Sequence, residues 1–386
     1  MSSLLVQSPA GGSSGGAGQK GPIHIDGLVF RDDTGAIWPY RGITAFLLYQ
    51  IWLDKGAAAV SALLSNWLGA CRGVPFNTVR VFGMVDSFSH WYPQEHSNYY
   101  AQLRPFADFL LKQFGLRMEF VIFADSGIVM PDTNAQDVHA GRVVDALAPC
   151  ENVFIEVANE PSQHSNLTGG DARAYDLYLR LRNRGLLVAT GAGDGYYAGD
   201  IVGVHTPRDF EWPRKAKDLL DVRTICGKPS YGDEPMGAAE VAIDGKRDNN
   251  PRNFADYAAV AQQQGAGSTF HFDNGIYGQM IQPVQASCLL AFMQAAWWMP
   301  PEAQVQLFAR GEQQDPPGCH WTHAPGDAES PCHHDDNLET RSYGKILEPF
   351  YWVVQVQTKR LQPTQCAGWQ ADQSGPSTGL TRFRRT

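Results

Sequence analysis

Eight short apolar runs alternate with helical patterns between residues 43 and 299, and this alternation constrains the fold more than any other feature of the chain. Consecutive parallel strands need a crossover connection, which is usually a helix. Eight such units are more than an open, doubly wound sheet usually contains, so they predict an α/β chain folded as a (β/α)8 TIM barrel. The connection between the fifth and sixth runs is short and shows no clear helix. The predicted strands are 43–49, 77–83, 117–125, 152–160, 186–193, 200–207, 228–235 and 267–275, and the predicted helices are 61–70, 98–115, 136–148, 171–183, 214–226, 253–265 and 283–299.

Three parts are predicted along the chain. Residues 1–21 are rich in Gly and Ser, which is typical of a flexible tail. Residues 22–300 form the barrel, which opens with a β-hairpin around the turn RDDTG that ends in Gly35. Residues 301–386 form an irregular loop and a C-terminal extension packed on the barrel, with a strand-like run at 350–357. No Gly-x-Gly-x-x-Gly or Walker-type loop follows a predicted strand, which argues against nucleotide-binding folds.

The composition limits the classes of partner. A chain of 386 residues with 43% hydrophobic and 18% charged residues indicates a soluble globular protein with a large core. The net charge of −9 argues against a nucleic-acid partner and suits a neutral substrate. No apolar run approaches the length of a membrane span, and no secretory signal is visible at the start. Neither membrane nor nucleic acid is therefore expected as a partner, and the compartment and the oligomeric state stay open.

The cysteines and a His-rich loop leave several alternatives. Seven cysteines are scattered along the chain, so at least one is unpaired, and only Cys319 and Cys332 lie where pairing is easy. The stretch GCHWTHAPGDAESPCHHDD (318–336) contains residue types that bind zinc, but its spacing matches no zinc module. A disulfide and a metal site are possible there, and a loop with neither is favoured. No metal and no cofactor are predicted.

Polar side chains stand where the predicted strands end, which is where barrel enzymes carry their chemistry. A buried charge at such a position is costly unless it is paired, so these residues point to function. Two carboxylates on opposite sides of one barrel mouth suit the cleavage of a glycosidic bond, because one protonates the departing oxygen and the other attacks the anomeric carbon. We expect Arg80 to hold one carboxylate ionised, and Glu160, beside the neutral Asn159, to have a higher pKa. The strand-end residues are Arg80, Asp125, Asn159, Glu160, His205, Asp233, Glu234, His271 and Asp273.

The run FIEVANEP (154–161) resembles the fourth-strand motif of clan A glycoside hydrolases, which include the family 5 cellulases and mannanases. The resemblance implies that Glu160 is the acid/base, that Glu234 in KPSYGDEP (228–235) is the nucleophile, and that Arg80 in NTVRVFG (77–83) lies beside the nucleophile. The hairpin at 27–42 also resembles the strand pair that closes the barrel bottom in these enzymes. The implied activity is retaining hydrolysis of a β-linked oligo- or polysaccharide by double displacement. The chain departs from family 5 at HTP (205–207), where His-x-Tyr is usual, and at FHFDNG (270–275), where a Trp is frequent.

Several alternatives stay open from the sequence. Asp233 could be the second carboxylate instead of Glu234, and Glu160 could be a structural helix cap. Glu156 shares the strand parity of Glu160 and is expected inside the barrel, paired with a base that could be Arg80. The rival functions are a non-catalytic carbohydrate-binding barrel and a metal-dependent TIM-barrel hydrolase that would use the strand-end histidines and Asp125. The predicted substrate-binding residues are Arg80, Asn159, His205 and His271, with Trp91, Tyr196 and Trp212 as aromatic platforms for sugar rings.

Overall fold

The computed structural model describes residues 22–191, 199–209, 211–217, 226–243, 245–263 and 265–297, together with the backbone of 369–372 and 382–385. Its strands are β1 (His24–Asp26), β2 (Val29–Arg31), β3 (Arg41–Thr44), β4 (Thr78–Phe82), β5 (Arg117–Phe123), β6 (Val153–Ala158), β7 (Val188–Ala189), β8 (Val202–Val204), β9 (Ser230–Gly232), β10 (Gly237–Ala238), β11 (Arg247–Asp248), β12 (Gly267–Phe270), β13 (Trp369–Asp372) and β14 (Arg382–Arg385). Its helices are α1 (Leu48–Ala70), α2 (Tyr99–Phe114), α3 (Ser126–Val129), α4 (Thr133–Leu147), α5 (Gly170–Leu181), α6 (Pro251–Gln263), α7 (Asp273–Ile276) and α8 (Pro283–Trp297), with 3-10 turns at Pro93–Glu95 and Trp212–Lys217.

Eight parallel strands form a nearly closed barrel, in the order β7-β6-β5-β4-β3-β12-β9-β8. The first and last barrel strands, β3 and β12, pair with each other, so Gly42 lies opposite Thr269. The hydrogen-bonded pairing of neighbouring strands is interrupted between β7 and β8, which are the fifth and sixth strands of the barrel. There Ala189 forms an isolated antiparallel bridge with Gly199. The predicted (β/α)8 barrel is therefore confirmed, and its opening coincides with the connection in which the sequence shows no helix.

Helix α2 shows how the sequence patterns produce the barrel layers. Its residues Leu103, Phe106 and Leu110 recur at helical spacing and are fully buried, while Lys112 faces solvent. The helix ends at Gly115, which adopts a left-handed φ of 68° that a glycine takes without strain. The chain then enters β5, which is buried along its whole length. Such a strand is expected in a parallel sheet that is covered on both faces.

The predicted first strand, 43–49, is wrong in its second half. Strand β3 ends at Thr44 and helix α1 begins at Leu48, so the run ITAFLLY is divided between two elements. A short apolar run carries no periodicity that separates a buried strand from a buried helix start. Leu48 and Tyr49 are fully buried on the helix, and the Tyr49 hydroxyl donates a hydrogen bond to the backbone carbonyl of Tyr99.

The opening hairpin lies one segment earlier than predicted. Strands β1 and β2 pair across Gly27, and the turn RDDTG carries only a single bridge, between Arg31 and Ile37. Beyond this turn, Trp38 packs edge-on against both Phe30 and Tyr40. These rings join a buried cluster with Phe154 of β6 and Tyr231 of β9, so the hairpin packs against the barrel as the predicted closing strand pair would.

Some predictions fall outside the described residues. The helix predicted at 214–226 begins as the turn Trp212–Lys217, and residues 218–225 are not described. Strands β13 and β14 form an antiparallel pair within the predicted C-terminal extension. The strand at 350–357, the His-rich loop 318–336 and Cys319 with Cys332 lie outside the described residues, as does the tail 1–21. Within the part of the chain that is described, no helix is long and apolar enough to cross a membrane.

Candidate active site

The strand-end polar residues converge at one end of the barrel. Arg80 lies in β4, and Asn159 and Glu160 directly follow β6. His205 follows β8, and Glu234 follows β9 by two residues. Because the strands are parallel, their carboxyl ends meet at the same mouth, and the contacts described below join all five side chains.

Arg80 is the centre of this cluster. Its Nε and Nη2 each donate a hydrogen bond of 2.8 Å to one oxygen of Glu156. Nη2 also donates to Asn159 Oδ1 at 2.8 Å, and Nη1 donates to Glu234 Oε2 at 3.0 Å. The guanidinium and the Glu156 carboxylate are both fully buried. The two roles that the sequence left open for Arg80 therefore coexist, since it neutralises the interior Glu156 and also contacts Glu234. At 0% exposure its guanidinium offers no surface to a substrate, so the predicted substrate contact of Arg80 is wrong.

Glu234 is held between two arginines. Its second oxygen, Oε1, accepts a hydrogen bond of 2.7 Å from Arg208 Nη2. Burial raises the pKa of Glu234, but the charges of His205, Arg208, His271 and Arg80 outweigh it and hold the pKa well below the usual range. Arg208 was not among the predicted site residues. Its only signal in the sequence is its position three residues after the strand-end His205.

Glu160 pairs with histidines. Its Oε1 lies 2.6 Å from His205 Nδ1, and its Oε2 lies 3.1 Å from His164 Nε2. Burial raises the pKa of Glu160, yet the hydrogen bond and the charge of His205 prevail and lower it. The expected higher pKa of Glu160 is therefore wrong. The expectation rests on the neutral Asn159 beside it in the sequence, whereas the fold places the imidazole of His205, which follows β8, next to the carboxyl. His164 was also missed, and its signal was its position four residues after Glu160.

His205 bridges the two glutamates. Its Nδ1 faces Glu160, and its Nε2 lies 3.4 Å from Asp233 Oδ1 and 3.8 Å from Glu234 Oε2. Burial lowers the pKa of His205, but the charges of Asp233 and Glu234 and the hydrogen bond to Glu160 raise it to about 9. The imidazole is therefore positively charged at neutral pH. The structure places it among carboxylates, and its contact with a substrate stays a prediction.

Glu160 adopts a strained backbone conformation. Its φ is 47°, in the left-handed region that residues with a side chain rarely enter. The following loop is fastened by the fully buried Ser165, whose backbone N–H donates to the Asn159 carbonyl at 3.1 Å and whose hydroxyl donates to the Phe123 carbonyl at 2.7 Å. Strain of this kind persists only where surrounding contacts impose it, and it is concentrated at functional positions.

Burial contradicts three further predicted substrate contacts, which are those of Trp91, Trp212 and His271. Trp91 is 1% exposed and packs against Tyr49 and Tyr99 in the core. Trp212 is 2% exposed and donates its ring N–H to Asp248 at 2.8 Å. These rings complete the core around the barrel and present no face to a sugar. The same holds for His271, which is 1% exposed with its Nδ1 2.9 Å from Thr44 Oγ1, whereas Tyr196 lies outside the described residues.

An aromatic surface does exist at a different position. Tyr277 follows α7 and is 46% exposed, and its ring meets Phe88 edge-on at 5.7 Å. Phe88 in turn lies 6.5 Å from Phe46, which lies 5.9 Å from the His271 ring. A line of rings therefore leads from His271 beside the carboxylate cluster to the exposed Tyr277.

Asp125 and Glu156, two acids that could hold a metal, have other partners. Asp125 accepts hydrogen bonds from the backbone of Asp86 and Ser87, so it fastens the loop after β4. Ligand atoms of Glu156, His205 and Asp233 lie within 4.8 Å of one another. Both oxygens of Glu156 are taken by the Arg80 guanidinium, however, and a cation beside that guanidinium would be repelled. These three side chains do not make a fitting metal site.

Comparison with known proteins adds the fold relationship. No protein-family model and no curated protein matches the sequence. A provisionally assigned glycoside hydrolase from Bacteroides vulgatus ATCC 8482 is similar with a TM-score of 0.55 and 15% identity, over 70% of this chain and 60% of that chain. A beta-glucanase from Saccharophagus degradans, solved in complex with cellotetraose, is similar with a TM-score of 0.51 and 14% identity, over 72% of this chain and 94% of that chain.

These similarities define the class of fold. The matched structures are glycoside hydrolases, and the chain shares their (β/α)8 barrel, as the clan A resemblance of its motifs implies. The chain spans 60% of the length of the Bacteroides protein. At 14–15% identity the likeness concerns the fold, and a shared fold does not by itself imply a shared activity.

Proposed function

We propose that the chain is a retaining glycoside hydrolase that cleaves a β-linked oligo- or polysaccharide, with Glu234 as the nucleophile and Glu160 as the acid/base. The contrast between these two carboxyls is the observation that supports the proposal. Glu234 is held ionised by Arg80 and Arg208, as a nucleophile requires. Glu160 instead shares a hydrogen bond with the charged imidazole of His205, which gives the pair a proton to donate. Two carboxyls with different environments at one mouth are what acid/base and nucleophile roles need.

The reaction would proceed in two displacements. In the first, Glu234 attacks the anomeric carbon and the bond to the glycosidic oxygen breaks, while Glu160 passes a proton to that oxygen. In the second, water attacks the anomeric carbon, Glu160 takes its proton, and Glu234 leaves. A retaining enzyme holds its two carboxyls about 5 Å apart, and this separation stays a prediction for Glu160 and Glu234. Asn159, whose Oδ1 accepts from Arg80, stays a predicted substrate contact.

Kinetics with substrates of different leaving groups test the two roles separately. Glu234→Ala should abolish turnover of every substrate, because each substrate needs the nucleophile. Glu160→Ala should lose most of its activity on an unactivated substrate such as cellotetraose, but less in the first step on an activated aryl β-glycoside, which needs little protonation. Added azide should restore turnover of Glu160→Ala on the aryl glycoside and give a β-glycosyl azide.

Glu151→Gln is a matched control, because Glu151 is exposed and precedes β6 at the opposite end of the strand that leads to Glu160. It should keep the wild-type rates. A panel of aryl β-glycosides and β-glycans identifies the responsive substrate. An azide product of inverted configuration, or near-normal rates for Glu234→Ala on a responsive substrate, would show that the assignment is wrong. A wild-type protein that binds glycans without cleaving any of them would favour a non-catalytic carbohydrate-binding barrel.

A further inference from the structure

Asp233, directly before Glu234, is a buried acid for which the two displacements have no use. It is 0% exposed, so it cannot touch a substrate, and the alternative that Asp233 replaces Glu234 as nucleophile loses its support. Neither of its carboxylate oxygens accepts a hydrogen bond from any of the residues that the structure describes. An ionised carboxylate in such surroundings is costly unless a charge compensates it. The position of Asp233 therefore needs a physical reason.

The surroundings of Asp233 point to His205. Its Oδ1 lies 3.4 Å from His205 Nε2. Its Oδ2 packs against Gly203 of β8, where a Cβ atom would overlap it, so the glycine makes room for the acid. Arg80 also attracts Asp233, but the hydrogen bonds of its guanidinium go to Glu156, Asn159 and Glu234. The imidazole is thus the cation whose ring nitrogen Asp233 faces directly.

We propose that Asp233 is a positioning residue that keeps His205 as an imidazolium with its Nδ1–H directed at Glu160, so that Asp233, His205 and Glu160 form a proton relay. The proposal rests on the proposed glycosidase function. Glu160 begins ionised beside the imidazolium. When the glycosidic bond breaks, the Nδ1 proton of His205 passes to the Glu160 carboxylate and from it to the departing oxygen, so Glu160 is ionised again and can act as the base. The imidazole is then neutral, with its remaining proton on Nε2 towards Asp233. In the second displacement the attacking water gives its proton to Glu160, and this proton returns to His205 Nδ1.

The charges around His205 set the pH range of such a relay. Asp233 and Glu234 face it from the end of β9, and Arg80 faces it from β4. Glu160 at the end of β6 and Glu156 within β6 also face it, with a Glu156 oxygen within 4.8 Å of an imidazole nitrogen. Burial raises the pKa of Asp233 to about 6 against the lowering effects of His205 and Arg80. The pKa of His205 is about 9. Between these values Asp233 is ionised and the imidazole is protonated. The charge of Asp233 is the largest single contribution that raises the pKa of His205. Neutralising Asp233 should therefore lower the pKa of His205.

Asp233→Asn tests the relay, because asparagine keeps the shape of the side chain and removes its charge. The basic limb of the pH profile of kcat/KM should move to lower pH by about 1 unit or more, in parallel with the pKa of His205 measured by imidazole NMR. At pH 8, kcat should fall more for an unactivated glycoside than for an aryl glycoside with a good leaving group, and KM should change little. Asp209→Asn is the matched control, since Asp209 follows His205 by four residues, is 45% exposed and lies 4.0 Å from Lys215. It should leave the basic limb in place.

Three results would overturn the proposal. The first is a wild-type His205 that titrates near its ordinary value of 6.5. The second is an unchanged basic limb in a folded Asp233→Asn variant, and the third is an equal loss of kcat for both kinds of leaving group, as a merely structural role would give. If the variant does not fold, the NMR titration of wild-type His205 alone decides. That titration needs no substrate, so the failure of the proposed function, seen as no cleavage of any glycoside by the wild type, is distinguishable from the failure of the relay.

Discussion

Replacing Arg80 with methionine should destabilise the barrel and abolish activity for two separable reasons. Methionine fills much of the same volume but leaves the fully buried Glu156 without its bidentate partner. It also removes one of the two arginines that hold Glu234 ionised. The first loss acts on folding and the second acts on the proposed chemistry.

The loss of stability in Arg80→Met can be estimated from the complete burial of the Arg80–Glu156 ion pair. Breaking a buried ion pair by removing one partner costs about 3–5 kcal/mol, because the other charge is left uncompensated. For a chain of this size, about 2 °C of Tm accompanies each kcal/mol, so the Tm should fall by roughly 6–10 °C. The stranded carboxylate can take up a proton instead of staying charged, so the loss should be smaller at low pH and grow as the pH rises.

A second substitution separates the two effects. Arg80→Met combined with Glu156→Leu removes the stranded carboxylate and should recover most of the stability, since an apolar pair of similar volume can replace a buried ion pair. Its activity should stay lost, because Glu234 still lacks Arg80. Arg252→Met serves as the control, because Arg252 is 86% exposed and should change stability by no more than about 0.5 kcal/mol.

Thermal and denaturant unfolding of the four proteins, followed by circular dichroism, measures the stability, and aryl glycoside hydrolysis measures the activity. If Arg80→Met unfolds within about 1 kcal/mol of the wild type, which is the range of an ordinary substitution, Arg80 does not compensate the buried charge of Glu156. If the double variant regains activity together with stability, Glu234 does not need Arg80.

Two further substitutions probe the mouth of the barrel. Arg208→Gln removes a charge that lowers the pKa of Glu234, so that pKa should rise and the acidic limb of kcat/KM should move to higher pH; an unmoved limb would contradict the contact. Tyr277→Ala removes the exposed ring beside Phe88 and should raise KM for a long oligosaccharide by about fivefold, or about 1 kcal/mol, without affecting a small aryl glycoside. Equal effects on both substrates would exclude a platform for a distant sugar ring.

The architecture was predictable because it depends on patterns along the chain. The alternation of apolar runs and helices predicts the parallel barrel, and side-chain parity in the fourth strand places Glu156 inside with Glu160 beyond it. The interruption between β7 and β8 was visible as a connection without a helix. Arg80, Glu160 and Glu234 then lie close together, because the carboxyl ends of parallel strands meet at the same end of the barrel.

The details of the site were not predictable, because they depend on how side chains approach one another across the mouth. Trp91 and Trp212 lie after strand ends as sugar platforms would, but the packing of the neighbouring helices and loops buries them. Arg208 reaches Glu234 through a loop conformation that no local pattern encodes. The lowered pKa of Glu160 arises from His205, which lies 2.6 Å away in space but belongs to a different strand end.

Trapping a covalent intermediate would identify the nucleophile of the proposed reaction. A 2-deoxy-2-fluoro β-glycoside with a good leaving group slows both displacements, but the first less than the second, so a retaining enzyme accumulates as the glycosyl-enzyme. After proteolysis, mass spectrometry should find one sugar on the peptide that contains Glu234, and Glu234→Gln should stay unlabelled. A label on Asp233 or on any other residue would contradict the assignment of Glu234 as the nucleophile. Hydrolysis of the parent glycoside by the wild type with inversion at the anomeric carbon would contradict the double displacement.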